Sequence, residues 1–196
     1  MLVRDGVPDR FHGRACPGRN GNIIRTSRLM LRDQNLVPLS RQHQHSLALC
    51  VRLSRAGEIT EVDLEAWQAE IARQFEQETS IHFAVEEKEV FPRAAEFSEM
   101  QALVQELLAE HAVLRSLFAR AGTRHLDRAG LAEFGEKLAA HIRKEERQLF
   151  EAMQKRMDAK ELAVIGSRLE KALADASLAC FLPGTATPAK TGRDET

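Results

Sequence analysis

The sequence lacks tyrosine and contains only three cysteines and six prolines among its 196 residues. The cysteines are far apart and odd in number, so they form neither a disulfide framework nor the paired thiols of a zinc knuckle. A reducing cytoplasm is therefore the simplest compartment. With no strong β pattern, and with most prolines outside the central region, the composition favours a helical fold.

Long apolar runs are also missing. No stretch approaches the roughly 18 apolar residues that would indicate a membrane span, and the N-terminus lacks the apolar segment of a secretory signal. The formal net charge of -1 gives no reason to expect a nucleic-acid partner. Because no glycine-rich phosphate loop, nucleophile elbow or dinucleotide fingerprint occurs, nucleotide chemistry is not expected either. We predict a cytoplasmic protein that binds neither nucleic acid nor membrane.

The chain divides into a helical centre and two polar ends. Residues 1–34 carry seven arginines among scattered glycines and prolines without a hydrophobic period, which predicts a flexible basic arm. Residues 181–196 are predicted to form a disordered tail. Between them, short joining segments separate four helices in residues 35–157. This pattern is typical of an all-α, antiparallel up-down four-helix bundle, here followed by an additional C-terminal helix in residues 158–180.

Capping and breaking residues indicate the bounds of these helices. The predicted helices run from about Pro38 to Ala56, from about Thr60 to Pro92, from Ser98 to about Gly122, from Asp127 to about Met157, and from Asp158 to about Leu178. Thr60 followed by Asp63 resembles a capping box for the second helix, and Asp158 followed by Glu161 resembles one for the fifth. The fifth helix has one apolar face, which would either cap the bundle or pair with another subunit in a homodimer.

Helices two and four contain the same motif. The second reads Phe75-x6-His82-x3-Glu86-Glu87-x2-Val90-Phe91, and the fourth reads Phe134-x6-His141-x3-Glu145-Glu146-x2-Leu149-Phe150. Residues four apart lie one above the other on a helix, so each histidine sits over the first glutamate of its motif, on the apolar face. Repetition of such a motif within one chain is itself evidence of a shared role.

Carboxylates and imidazoles on an apolar helix face lose their contacts with water when that face is buried, and other interactions must replace these contacts. Their burial is costly unless they hydrogen-bond one another or a metal ion neutralises the charge, and pairs on facing helices favour the metal. The candidate ligands on these two helices are His82, Glu86, His141 and Glu145. The adjacent Glu87 and Glu146 lie one position round the helix, where they would either orient the histidines or remain solvated.

Helices one and three each offer a further histidine. His111 has leucines on its own face, so it points inward. In helix one, His43 has leucines four residues before and after it, whereas His45 has arginine four residues before it. We therefore favour His43, with His45 as an alternate or additional ligand. Four inward histidines together with two inward glutamates favour a metal centre over a set of satisfied core histidines.

At these residues the sequence resembles the hemerythrin-like family, whose members carry the HHE cation-binding domain. The resemblance covers residues 36 to about 157. The segments His82-Phe83-x2-Glu86-Glu87 and His141-x3-Glu145 are typical of the second and fourth helices of that family. Gln42-His43 and Glu110-His111 resemble its single-histidine helices, the first and the third.

The resemblance implies a cofactor and a function. It implies two iron ions that are bridged by the carboxylates of Glu86 and Glu145. The terminal imidazoles would come from His43, His82, His111 and His141. Such a centre would bind or sense a small ligand such as oxygen, nitric oxide or peroxide. The alternative is an enzyme that turns over peroxide or nitrogen oxides, or acts in iron supply and iron–sulfur repair, with an unidentified redox partner.

One departure from the family pattern bears on function. Oxygen-carrying members have a second histidine four residues after the histidine of helix three, and this sequence has Arg115 there. Unless His45 or a carboxylate such as Glu110 replaces it, one iron has fewer protein ligands. This argues against reversible oxygen carriage and leaves room for exogenous ligands or redox turnover. A structural bundle whose histidines merely hydrogen-bond one another is the third hypothesis.

Overall fold

The computed structural model of the protein describes residues 31–56 and 63–181, with side chains up to residue 174. Within these residues the fold is entirely helical, with five helices and no strand, so the all-α class is confirmed. In the same ranges we find no helix with the length and apolar character that crossing a membrane requires. The predicted arm lies outside the described residues except for positions 31–34, and the predicted tail lies outside them except for position 181.

The five helices are labelled α1 to α5. They are α1 (Val37–Ala56), α2 (residues 64–94), α3 (Ser98–Gly122), α4 (residues 128–156) and α5 (Ala159–Phe181). Two of them are interrupted by turns of π-helix. These turns are Phe75–Thr79 and Glu86–Val90 in α2 and Glu145–Leu149 in α4. Isolated π-helical turns inside α-helices are frequent at functional sites, and here both motif glutamates begin one.

Side-chain caps explain where three helices begin. The side chain of Asp63 accepts a hydrogen bond from the Ala66 N–H at 2.9 Å, and that of Asp127 accepts one from the Gly130 N–H at 2.8 Å. Asp158 forms the predicted reciprocal capping box. The predicted start of α2 near Thr60 is corrected, because α2 begins directly after Asp63; position 60 itself lies outside the described residues.

The predicted end of α2 at Pro92 is also too early. The helix continues to Ala94, because Pro92 occupies the first turn of the segment that follows a π-helical turn. A proline lacks the backbone N–H, and it is tolerated where that N–H has no helical acceptor to lose. The helix therefore passes through the proline without ending.

Buried apolar side chains form two clusters. The first apolar cluster contains the N-terminal parts of α1 and α3, the C-terminal parts of α2 and α4, and the inner face of α5. The second apolar cluster contains the opposite parts of α1 to α4. On α5 the side chains of Leu162, Ile165 and Leu169 are buried in the first apolar cluster, so this face packs within the chain. Each of α1 to α4 also carries a buried histidine near the place where the two clusters meet.

Candidate metal centre

A polar layer separates the two apolar clusters. It consists of His43, His82, Glu86, His111, His141 and Glu145. Each of these residues is at most 4% exposed, and four different helices supply them. They are the same six residues that the motifs of the sequence single out, and the structure brings all of them together.

The layer divides into two groups that share both carboxylates. In the first group, Nε2 of His43 lies 2.9 Å from Nε2 of His82. In the second group, Nε2 of His111 lies 3.1 Å from Nε2 of His141. Glu86 and Glu145 belong to both groups, and the potential ligand atoms within a group all lie within 4.8 Å of one another.

Glu86 directs one carboxylate oxygen towards each group. Its Oε1 is 3.2 Å from Nε2 of His82, and its Oε2 is 3.5 Å from Nε2 of His111. The residue is fully buried, and neither oxygen accepts a hydrogen bond. Glu86 therefore lies in a bridging position, with both of its oxygens free to bind.

Glu145 repeats this arrangement from α4. Its Oε2 is 3.2 Å from Nε2 of His43, its Oε1 is 3.3 Å from Nε2 of His141, and again neither oxygen accepts a hydrogen bond. Buried carboxylate oxygens without partners are costly. One cation in each group would remove that cost by binding two imidazole nitrogens and one oxygen from each carboxylate. The residues present therefore fit a pair of metal ions.

Each histidine ring also makes a hydrogen bond at its outer nitrogen, Nδ1. The pairs are His43 with Glu146 at 2.7 Å, His82 with Gln42 at 2.8 Å, His111 with Glu87 at 2.8 Å, and His141 with Glu110 at 2.9 Å. When Nδ1 donates to such an oxygen, the ring is held in place and Nε2 keeps its lone pair for a metal ion. Glu87 and Glu146 are thus orienting partners and not freely solvated side chains.

The roles of Gln42 and Glu110 were missed by sequence reasoning. Each directly precedes the buried histidine of its helix, one position round from the buried face. Glu87 and Glu146 were candidates for orienting partners because they, too, lie one position round the helix from a predicted ligand. The same signal was therefore present for Gln42 and Glu110, but it does not show on which helix each partner histidine lies.

No additional ligand comes from position 115 or from His45 and Glu110, the two replacements that the sequence offered. Arg115 donates to Glu87 at 2.7 Å and is directed to the outside of the polar layer. His45 has a side chain that is 70% exposed, and it pairs with Glu78. Glu110 is engaged at the outer nitrogen of a histidine. The two groups therefore have matching sets of potential ligands, namely two imidazoles and one oxygen from each carboxylate.

The π-helical turns set a phenylalanine beside each group. In α2, the N–H of Phe91 bonds to the carbonyl of Glu86, five residues earlier. This brings the Phe91 ring to 5.3 Å from the ring of His111, measured between centroids. The equivalent turn in α4 stacks Phe150 on His43 at 5.7 Å. Sequence reasoning missed these turns, although both motifs have a phenylalanine five residues after the glutamate.

The histidines and carboxylates of the layer shift one another's pKa values. Burial disfavours a charge on His43, but the adjacent carboxylates of Glu145 and Glu146 overcome it and raise the pKa of His43 to about 10. Burial also disfavours a charge on His141, but Glu145 in particular raises its pKa to about 9. The facing histidines likewise outweigh burial at Glu86 and hold its pKa well below the ordinary value. Metal ions would therefore displace protons when they bind.

Comparison with known proteins agrees with this geometry. A family model for the hemerythrin HHE cation-binding domain matches residues 37–153, which is more than half of the chain. Neither the curated proteins nor the solved structures give a significant match. The matched segment contains all six residues of the polar layer. The chain belongs to the hemerythrin family of HHE cation-binding domains.

Proposed function

We propose that this protein is a non-haem di-iron protein that binds or senses a small ligand such as oxygen, nitric oxide or peroxide. One observation carries the proposal: two buried carboxylates each direct one oxygen, which accepts no hydrogen bond, towards each of two histidine pairs. Imidazole and carboxylate ligands together suit non-haem iron and leave open positions on it. The bound iron pair would supply those open positions and a reversible change of oxidation state.

We also propose that α1 to α4 form an antiparallel up-down bundle around the centre, with α5 as an additional helix at one end. The membership of the apolar clusters supports this arrangement. The first apolar cluster takes the beginnings of α1 and α3 and the ends of α2 and α4, together with α5. Successive helices that present opposite ends to one cluster run in opposite directions.

The protein's own residues orient the ligands and exclude water. The outer partners of the histidines fix each Nε2 towards the shared carboxylates. The ring of Phe83 stacks on His111 with centroids 3.8 Å apart, and Phe91 and Phe150 lie against the layer from the side of the first apolar cluster. A small uncharged ligand would therefore enter an apolar and water-poor environment, which suits a diatomic gas or peroxide.

Metal analysis tests the centre itself. The full chain, purified without chelators and loaded anaerobically with ferrous ion, should contain about two irons per chain because the layer has two groups. Protein that contains none and gains none would contradict the proposal. It would favour the structural alternative, in which the histidines merely hydrogen-bond one another.

Stopped-flow spectroscopy separates binding from turnover. Reduced, iron-loaded protein should change its absorption spectrum on mixing with nitric oxide and should recover when the gas is removed. Repeated consumption of nitric oxide or peroxide would instead identify the alternative, an enzyme. The matching ligand sets of the two groups favour neither binding nor turnover. Arg115 stands where an oxygen carrier would have a further histidine ligand, so the centre differs from that of an oxygen carrier.

A redox partner, a cytoplasmic location and a homodimer stay predictions.

A further inference from the structure

We propose that the two metal positions are inequivalent, and that Gln42 makes the position at His43 and His82 the weaker one. A divalent ion would then fill the position at His111 and His141 first. This inference rests on the proposed metal centre and goes beyond it. The potential ligand atoms are the same in kind at the two positions. We therefore infer that the difference in metal affinity comes from the residues that hydrogen-bond to the outer nitrogens of the histidines.

Gln42 and Glu110 occupy equivalent places. Each directly precedes the histidine of its helix, and each accepts a hydrogen bond from Nδ1 of the histidine on the motif helix beside it. Oε1 of Gln42 lies 2.8 Å from Nδ1 of His82, and Oε2 of Glu110 lies 2.9 Å from Nδ1 of His141. The distances match, but one acceptor is a neutral amide and the other is a carboxylate.

That chemical difference reaches the metal through the imidazole ring. A hydrogen bond to a charged acceptor is roughly twice as strong as one between neutral groups. A carboxylate attracts the Nδ1 proton and so makes the opposite nitrogen, Nε2, a more basic ligand. Both histidines of the second group have carboxylate partners, whereas in the first group only His43 has one. The second group is therefore the stronger pair of donors.

The surrounding cations do not remove this difference. The ion pairs are Arg32 with Glu146, Arg115 with Glu87, and Lys144 with Glu110. Each outer carboxylate thus has one cation, so the three carboxylate partners are weakened in a similar way. Lys144 also contacts Glu106, which offsets part of its charge. The amide of Gln42 remains the one neutral partner among four.

Stepwise titration of the metal-free full chain with Co²⁺ tests the proposal. Replacing a partner of this kind typically changes metal affinity by about 10–100-fold, so the first ion should bind at least about tenfold more tightly than the second. That separation exceeds the statistical difference between two identical sites. His141→Ala should remove the tighter step, and His82→Ala should remove the weaker one, which assigns each step to its group.

Two exchanges then test the role of the amide. Gln42→Glu should tighten the weaker step by about tenfold and bring the two steps together, and Glu110→Gln should weaken the tighter step to a similar extent. Gln44→Glu is the matched control, because it adds the same charge at an exposed position on the same helix. It should leave both steps unchanged.

The outcomes distinguish this inference from the metal centre on which it rests. Two cobalt ions that bind with equal affinity or in one cooperative step, or a tighter step that disappears in His82→Ala, would overturn the inference and leave the dinuclear centre standing. An effect of Gln44→Glu equal to that of Gln42→Glu would overturn it as well, because general charge would then explain the change. Wild-type protein that takes up no cobalt would overturn both.

Discussion

The apolar clusters and the polar layer between them are equally inaccessible to water, but they are stabilised by different means. Phe134 and Leu107 are fully buried and gain free energy from leaving water and from close packing. Glu86 and Glu145 are just as buried, yet they bring charge into the interior. The apolar clusters need nothing beyond the chain's own side chains to be stable. The polar layer requires protons or metal ions to balance the negative charge of its carboxylates.

Removing a shared carboxylate should have the largest effect on the polar layer. Glu86→Ala should abolish binding of both metal ions, because Glu86 supplies an oxygen to each group. Metal content measured by mass spectrometry should fall from two ions per chain to none. His45→Ala is the control, since its side chain is 70% exposed on α1, and it should retain both ions. Full loading of Glu86→Ala would contradict the bridging position.

Truncating an apolar side chain should separate stability from metal binding. Phe134→Ala removes a fully buried ring from the second apolar cluster and should lower the free energy of unfolding by about 3–5 kcal/mol. Urea denaturation measures this loss. The folded variant should still bind two ions, because the polar layer is left intact. Val113→Ala, at a half-exposed position, should change stability by less than about 0.5 kcal/mol.

Removing an orienting partner should weaken the layer without abolishing it. Glu87→Ala leaves every ligand atom in place but removes the acceptor from Nδ1 of His111. Metal affinity should fall by about 10–100-fold with an unchanged stoichiometry of two ions. Competition with a chelator of known affinity measures this change. If the variant instead lost both ions, Glu87 would matter as much for metal binding as the ligand Glu86. The distinction between a metal ligand and a hydrogen-bond partner of a ligand would then be wrong.

The metal-free protein should lose stability as the pH rises. His43 and His141 have a pKa of about 10 and about 9 in the folded protein, above the ordinary value of 6.5. Between the unfolded and folded values the native state holds more protons, so their stabilisation is complete below about pH 6.5 and disappears through pH 9 to 10. Urea midpoints measured across this range should fall. In the metal-loaded protein, where metal ions replace those protons, the urea midpoint should not fall over this pH range. If the urea midpoint of the metal-free protein did not change with pH, the raised pKa values of the two histidines would be contradicted.

Much of the polar layer could be predicted because its signal is local. The spacing of His82 and Glu86 places both on one helix face, and its repetition at His141 and Glu145 marks a shared site. Flanking leucines separate His43 from His45, and the structure buries the first of these and exposes the second. The all-α class and the approximate bounds of the helices could also be predicted, because capping residues and hydrophobic periodicity are local signals.

The remainder depends on contacts between helices, which spacing within one helix does not describe. Arg32 lies 114 residues from Glu146 in sequence, yet it donates to that carboxylate at 2.7 Å. The pairing of Gln42 with His82 likewise requires knowledge of which helix lies beside α1. Asp63 begins α2 as its N-cap and accepts a hydrogen bond from the Ala66 N–H, whereas the sequence pattern placed it inside the helix, three residues after Thr60.

A π-helical turn contains one residue more than the α-helical turn it replaces. Removing Lys88 from the turn Glu86–Val90 would convert the bond from Phe91 to Glu86 into an ordinary α-helical bond, while the helix on either side kept its position. The five-residue spacing in both motifs is therefore equivalent to a single-residue insertion that the fold absorbs locally. The repeat within the chain contains that insertion twice, once at each glutamate that the two groups share.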